Sequence, residues 1–251
     1  MAAVRPEIVF HLASTVTGSR ELAQVRPTFE GNLASTVNLL IAATEAGCER
    51  IVFTGSMEEP RPGNPDPRPP SPYAAAKWAS TVYARMFHSL YNTPVVALRV
   101  FMVYGPGQQD NTKLIPYVGR CFLEGISPKL ASGRRLVDWV HVDDVVEACM
   151  KVLDAPEALG KTLDVGSGTR VSIREVVERL AKLTAASVRP LYGAIPDRPL
   201  ESDPVADVDR TYEVLGWRTM TDLDAGLRST VDWLRSREVD SWASRGGGKT
   251  S

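Results

Sequence analysis

The chain has 251 residues, 43% of them hydrophobic and 24% charged, with a formal net charge of −1. That length suits one large α/β domain or a domain with a smaller lobe, and near-neutrality excludes the basic face that nucleic-acid binding needs. The sequence holds no apolar run of about 18 residues, so no membrane partner is expected, and it opens with no charged-then-apolar leader that would mark secretion. Cys48, Cys121 and Cys149 are too scattered for a metal site, and no metal is expected. They read as reduced packing residues of a cytoplasmic protein.

In chain order, Ile8, Val9 and Phe10 form a short apolar run after a proline, which predicts a buried parallel strand with neighbours on both sides. Then "NLASTVNLLIAATEAGC" places Leu33, Val37, Leu40 and Thr44 at helical spacing, with Gly47 set to end the helix in a left-handed turn. "RIVFTGS" is a second buried strand, and the proline-rich "EEPRPGNPDPRPPSP" is a loop. "YAAAKWASTVYARMFHSLY" is a helix, and "PVVALRVFMVYGPG" a third strand running into a turn. Strand, helix, strand, helix, strand is the signature of a doubly wound parallel sheet. Beyond it, "DWVHVDDVVEACMKVLDA" reads as strand or turn into helix, and "KTLDVGSG" as another strand. "VSIREVVERLAKLTAA" is an amphipathic helix with Ser172 and Glu175 in a capping-box pattern. A last helix is expected from about Asp222 through Trp233, and the tail from 236 to 251 is expected to be disordered.

Tyr73 and Lys77 fall four residues apart on the predicted helix, hence on one face. A phenol ionises near pH 10 and is a poor base at neutrality, but a neighbouring ammonium favours the phenolate. Lowering the value by roughly 3 units takes about 4 kcal/mol, which a buried lysine beside a cationic ring would supply. Ser56 ends the preceding strand at its carboxyl edge, where open α/β sheets build their sites. Ser56, Tyr73 and Lys77 together make a Ser–Tyr–Lys constellation.

With these segments in this order, the chain resembles the extended short-chain dehydrogenase/reductases. The likeness runs through "PEIVFHLAS", "NLASTVNLLIAA", "RIVFTGS", "SPYAAAKWAS", "LRVFMVYGPGQ", "DWVHVDDVVEA" and "LDVGSGTRVSIREVV". More narrowly it resembles the NAD-dependent epimerase/dehydratase family, which acts on nucleotide sugars. The resemblance implies a Rossmann-like cofactor core over residues 1–107 and 138–166, with a smaller C-terminal substrate lobe over 108–137 and 167–235. It implies NAD, with NADP possible, and pairing of two copies through the Tyr73 helix. It also sets "VRPEIVFHLAS" at the family's fourth strand, so the fold is expected to be N-terminally truncated. The family's glycine-rich G-x-x-G-x-x-G turn is not in this sequence, and the chain is expected by itself to bind dinucleotide poorly.

Residue by residue, the resemblance implies that Leu12, Ala13 and Ser14 line the cofactor and that Asn32 steadies the site or caps its helix. Tyr73 would be the acid/base, and Lys77 would hold the nicotinamide ribose. Ser56 would bind the reacting sugar oxygen. Glu58, in Ser56-x-Glu58, resembles the glutamate of 4,6-dehydratases, although Met57 stands where one branch keeps an aspartate and "EP" replaces the usual "vYG". Met102 replaces a frequent asparagine, and Arg134, Arg135 and Arg198 are the candidate diphosphate ligands. The leading expectation is a nucleotide-sugar epimerase that works through a 4-keto intermediate. A 4,6-dehydratase or 4-ketoreductase, and an inactive fragment or interaction module, remain open beside it.

Overall fold

The computed structural model describes residues 1, 3–61, 63 and 66–246, with side chains to 237. Its main sheet is fully parallel, in the order β1 (Ile8–His11), β2 (Arg50–Ser56), β3 (Val95–Val100), β7 (Thr162–Val165). Period-two alternation sorts the side chains of β2 and β3 onto two faces. On one face Ile51, Phe53, Val95 and Ala97 pack with Leu40 and Ala43 of α2 (Ser35–Ala46) and with Ala84 and Phe87 of α3 (Pro72–Tyr91). On the other, Val52, Val96 and Leu98 join Ala148 and Cys149 of α5 (Val142–Lys151), and Val214 of α7 (Val208–Leu215) with Trp217 just beyond it. Helices on both faces of a parallel sheet make the expected doubly wound α/β fold.

β1 differs from expectation. It pairs only with β2, and Ile8 and Phe10 remain 42% and 40% exposed at the sheet edge. The helix after it also differs. A short α1 (Val25–Thr28) and a π-helical turn Phe29–Ala34 lead into α2 without a cap, and the buried stripe is Asn32, Thr36, Leu40 and Ala43. Leu33, Val37 and Thr44 flank that stripe, half-buried. Gly47 closes α2 at φ +69°, as its spacing predicts.

A second body carries the lobe. The expected third strand breaks at Phe101, and its continuation β4 (Met102–Tyr104) leaves the main sheet to pair with β6 (Leu136–His141), which in turn pairs with β8 (Arg170–Ser172). A two-stranded ladder joins β5 (Lys129–Leu130) to β9 (Leu191–Tyr192). Around these pack α4 (Leu114–Leu123), α6 (Ile173–Thr184) and α8 (Leu223–Gly246), through Val118, Phe122, Val177, Leu180, Leu227 and Val231. The division thus differs from the expected boundaries. β6 belongs to the lobe's sheet, while α7 packs on the main sheet beside β7. Residues 236–246, expected in a disordered tail, continue α8 as helix. No proline and no glycine interrupts α8 between Leu227 and Ser244. Residues 247–251 lie outside the described residues.

Among the described residues no helix is long and apolar enough to cross a membrane, and no His, Cys, Asp or Glu group could hold a metal ion. The three cysteines are free, with Cys48 and Cys149 in the cores.

Candidate active site

The site forms where β2 ends and α3 begins. Ser71 caps α3, accepting the Ala74 amide at 3.1 Å, and Pro72 supplies the first helical turn. That start fixes the phase of the helix and turns Tyr73 and Lys77 toward the carboxyl end of the sheet. Ser56 closes β2, its hydroxyl accepting the Glu58 amide at 3.2 Å. From the other side comes the loop after β1. Its Ser14 hydroxyl donates to Asn32 Oδ1 at 2.7 Å.

These pieces converge around the Tyr73 hydroxyl, whose ionised form Ser56 and Ser14 favour as polar neighbours. Burial pushes the phenol up to about 12, the two serines pull it back, and Glu58 and Glu59 raise it further. The expected lowering by Lys77 is therefore not the state held here. The Lys77 ammonium donates to the Thr54 carbonyl at 2.8 Å, and burial brings it down to about 8. Its charge is nevertheless felt nearby, lowering His11 after the larger effect of burial. Tyr73 rests as a neutral phenol beside a buried amine.

Asn32 is a bracket, not a helix cap. It is 1% exposed, accepts the Thr15 amide at 2.9 Å as well as Ser14, and donates to the Thr15 carbonyl at 3.1 Å. The π-helical turn presents it to that loop. Leu12 and Ala13 are exposed at the same end of the sheet. Ser14, Asn32, Tyr73 and Lys77 thus share one end of the sheet; Asn32 spends its amide on the loop, which leaves the Ser14 and Tyr73 hydroxyls and the Lys77 ammonium as the polar groups that could meet a nicotinamide cofactor there.

Glu58 lies within the cluster, accepting from Ser71 Oγ at 3.2 Å. A narrow cleft opens beside it, lined by Arg20, Met57, Glu58, Pro70, Arg135 and residues 201, 202 and 204. Arg135 reaches this cleft but is paired with Glu201 at 3.1 Å. Arg134 is exposed, and its amide donates to Ser132 Oγ. Arg198 lies across Gly18, where an added Cβ would sit 2.5 Å from its guanidinium. Met102 packs between the two cores and is not part of the cluster.

Sequence reading missed two features. Arg20 lines the cleft and donates to the Pro70 carbonyl at 2.7 Å. Glu59, next to the residue that drew attention, is 2% exposed and accepts the Ser56 amide at 2.7 Å. The one sequence signal for Glu59 was the break in the "vYG" pattern.

The chain matches the NAD dependent epimerase/dehydratase family over residues 1–166. It is 31% identical to the UDP-glucose 4-epimerase of Mycolicibacterium smegmatis, over 94% of this chain and 79% of that protein. It is 28% identical to a dTDP-glucose 4,6-dehydratase of Actinoplanes, over 95% and 76%. Among solved structures, the Thermus thermophilus UDP-glucose 4-epimerase complex with NAD superposes with a TM-score of 0.81 at 29% identity, over 93% of this chain and 79% of that one.

Proposed function

The chain belongs to the NAD-dependent epimerase/dehydratase family of enzymes, and from that premise we propose that it is a nucleotide-sugar 4-epimerase using NAD. The observation that carries the reading is the gathering of Ser56, Ser14 and the Tyr73 hydroxyl at the carboxyl end of the sheet, with Lys77 one turn along the helix. The mycobacterial relative and the Thermus structure are both UDP-glucose 4-epimerases, which supports a UDP-hexose substrate.

When bound, NAD accepts and returns the hydride at sugar C4, and its ring brings positive charge to the site. Ser56 holds the C4 hydroxyl in line with the phenol. Tyr73 takes that proton as the ketone forms and returns it to the same oxygen once the ketone has turned its opposite face to the site. A phenol at about 12 must fall by roughly 5 units to act near neutrality, which is about 7 kcal/mol. Lys77, whose ammonium donates to the Thr54 carbonyl, would hold the cofactor ribose and would add positive charge that favours the phenolate. Arg135, released from Glu201, and Arg198 offer cations to the diphosphate.

A second reading has its own observation. Glu58 lies close enough to raise Tyr73 electrostatically, and that is where a 4,6-dehydratase needs a base for the proton beside the ketone. The Actinoplanes relative carries that activity. Proton NMR of UDP-glucose and dTDP-glucose incubated with the protein and NAD separates the readings. The 4-epimer with no net change in NADH is expected. A 4-keto-6-deoxy product would replace the reading with the dehydratase, and net NADH formation, the reverse of ketone reduction, would replace it with a 4-ketoreductase. We further expect two copies to pair along α3, where Val82, Tyr83, Leu90 and Tyr91 are exposed. A monomer by light scattering would remove that expectation.

A further inference from the structure

The most deeply buried charges near the site are not those of the Ser–Tyr–Lys cluster. Glu59 folds back beneath the end of β2, where its Oε1 takes the Ser56 amide at 2.7 Å. Gly55 leaves room for it, since an added Cβ there would sit 2.5 Å from Glu59 Oε1. Its other oxygen faces Arg99 Nε at 3.7 Å, and Arg99 Nη1 binds Asp164 Oδ1 at 3.0 Å. Asp164 Oδ2 binds Arg61 Nη1 at 2.6 Å and accepts the Asp207 amide at 3.0 Å. Arg61 Nη2 then donates to the Val205 carbonyl at 2.9 Å.

Two carboxylates and two guanidinium groups thus form a neutral chain. It starts at the Ser56 amide and ends on the strap of residues 201–207, which also carries Glu201 against Arg135. Burying a carboxylate is costly, and an apolar residue packs at such a place at no such cost. One oxygen of the carboxylate is met by Arg99, and the directed contact of the other is the amide of the residue that meets the reacting oxygen.

We propose that Glu59 is a positioning residue, which fixes the Ser56 turn so that the serine hydroxyl meets Tyr73 and which, through Arg99, Asp164 and Arg61, ties that turn to the 201–207 strap. The proposal rests on the role given to Ser56 under the proposed function.

Amide hydrogen exchange of the intact protein tests it without substrate, in Glu59→Ala, Glu59→Gln and Arg61→Met. In Glu59→Ala the Ser56 amide exchanges at least about tenfold faster while the β2 amides before it are unchanged; Gln, which keeps an acceptor oxygen, stays within about threefold of the parent. Arg61→Met, cut at the half-exposed far end, speeds exchange at both Asp207 and Ser56. In turnover, Glu59→Ala lowers kcat with KM within about twofold, and Glu59→Gln restores kcat. Ser56 exchange that is unchanged, or that rises only together with the whole sheet, overturns the proposal. Should Glu59→Ala fail to fold, Arg61→Met decides, and an unmoved Ser56 amide in it is a refutation. Selective loosening at Ser56 in a protein that turns over no nucleotide sugar overturns the functional reading and leaves the positioning role standing.

Discussion

Ser56, Tyr73 and Lys77 come from one strand–loop–helix segment, Arg50–Tyr91, whereas the strap that faces them is held by residues far apart in the chain. Arg135 and Glu201 are separated by 66 positions, and Asp138 and Ala206 by 68. The first region carries groups that fit poorly with their surroundings, a phenol pushed up to about 12 and an ammonium brought down to about 8. The second is better satisfied, although Arg135 Nε has no hydrogen-bond partner among the described residues. Asp138, fully buried, accepts the amides of Ser167, Gly168 and Ala206 and the Ser167 hydroxyl. Chemistry is concentrated where the fold tolerates unfavourable titration, and stability where buried groups such as Asp138 are answered on every side.

That contrast breaks if substitutions in the two regions behave alike. Lys77→Met gives the largest effect. Turnover falls by about 10²–10⁴-fold, yet the protein becomes more stable at pH 7 by about 2 kcal/mol, because a desolvated charge is removed. The pH dependence follows in sign. With a folded value near 8 against about 10.4 unfolded, the unfolded chain binds more protons at Lys77 between those values, so stability climbs as pH rises from about 8. Above about pH 10 Tyr73, whose folded value is raised, reverses the slope. Urea midpoints against pH show the climb, and Lys77→Met flattens it.

Asp138→Ala makes the opposite trade. Leaving one buried and two part-buried amides unanswered costs about 3 kcal/mol, read as a lower urea midpoint, while kcat of the folded fraction stays within a few-fold. Equal loss of kcat in both variants would dissolve the distinction between the regions. The smallest effect lies far from either. Glu175→Ala opens the capping box at the start of α6, where Ser172 and Glu175 answer each other's amides, and lowers stability by about 1 kcal/mol with no change in turnover.

The same contrast explains what could be read from the chain alone. The strand ending at Ser56, the Ser71 cap and the four-residue step from Tyr73 to Lys77 are local, and local patterns show in sequence. The capping box at Ser172 and the left-handed Gly47 were legible for the same reason. The ion chain was not. Glu58 and Glu59 are adjacent in a loop, and only the tertiary fold decides that Glu59 turns inward to Arg99 while Glu58 meets Ser71. The break of one apolar run at Phe101 into strands of two sheets was hidden too, since β3 and β4 have the same pattern and differ only in partners. Lys77 as an acidifier of Tyr73 was read from proximity on a helix face, and the Thr54 carbonyl that accepts its hydrogen bond was not visible there.

The account depends on the Tyr73 hydroxyl as the group that moves the proton. The most direct test is kcat of Tyr73→Phe with NAD and UDP-glucose, in a protein whose urea midpoint matches the parent. A fall of at least about a hundredfold is predicted. Turnover equal to the parent's would contradict the assignment, because phenylalanine keeps the ring and loses only the phenol oxygen.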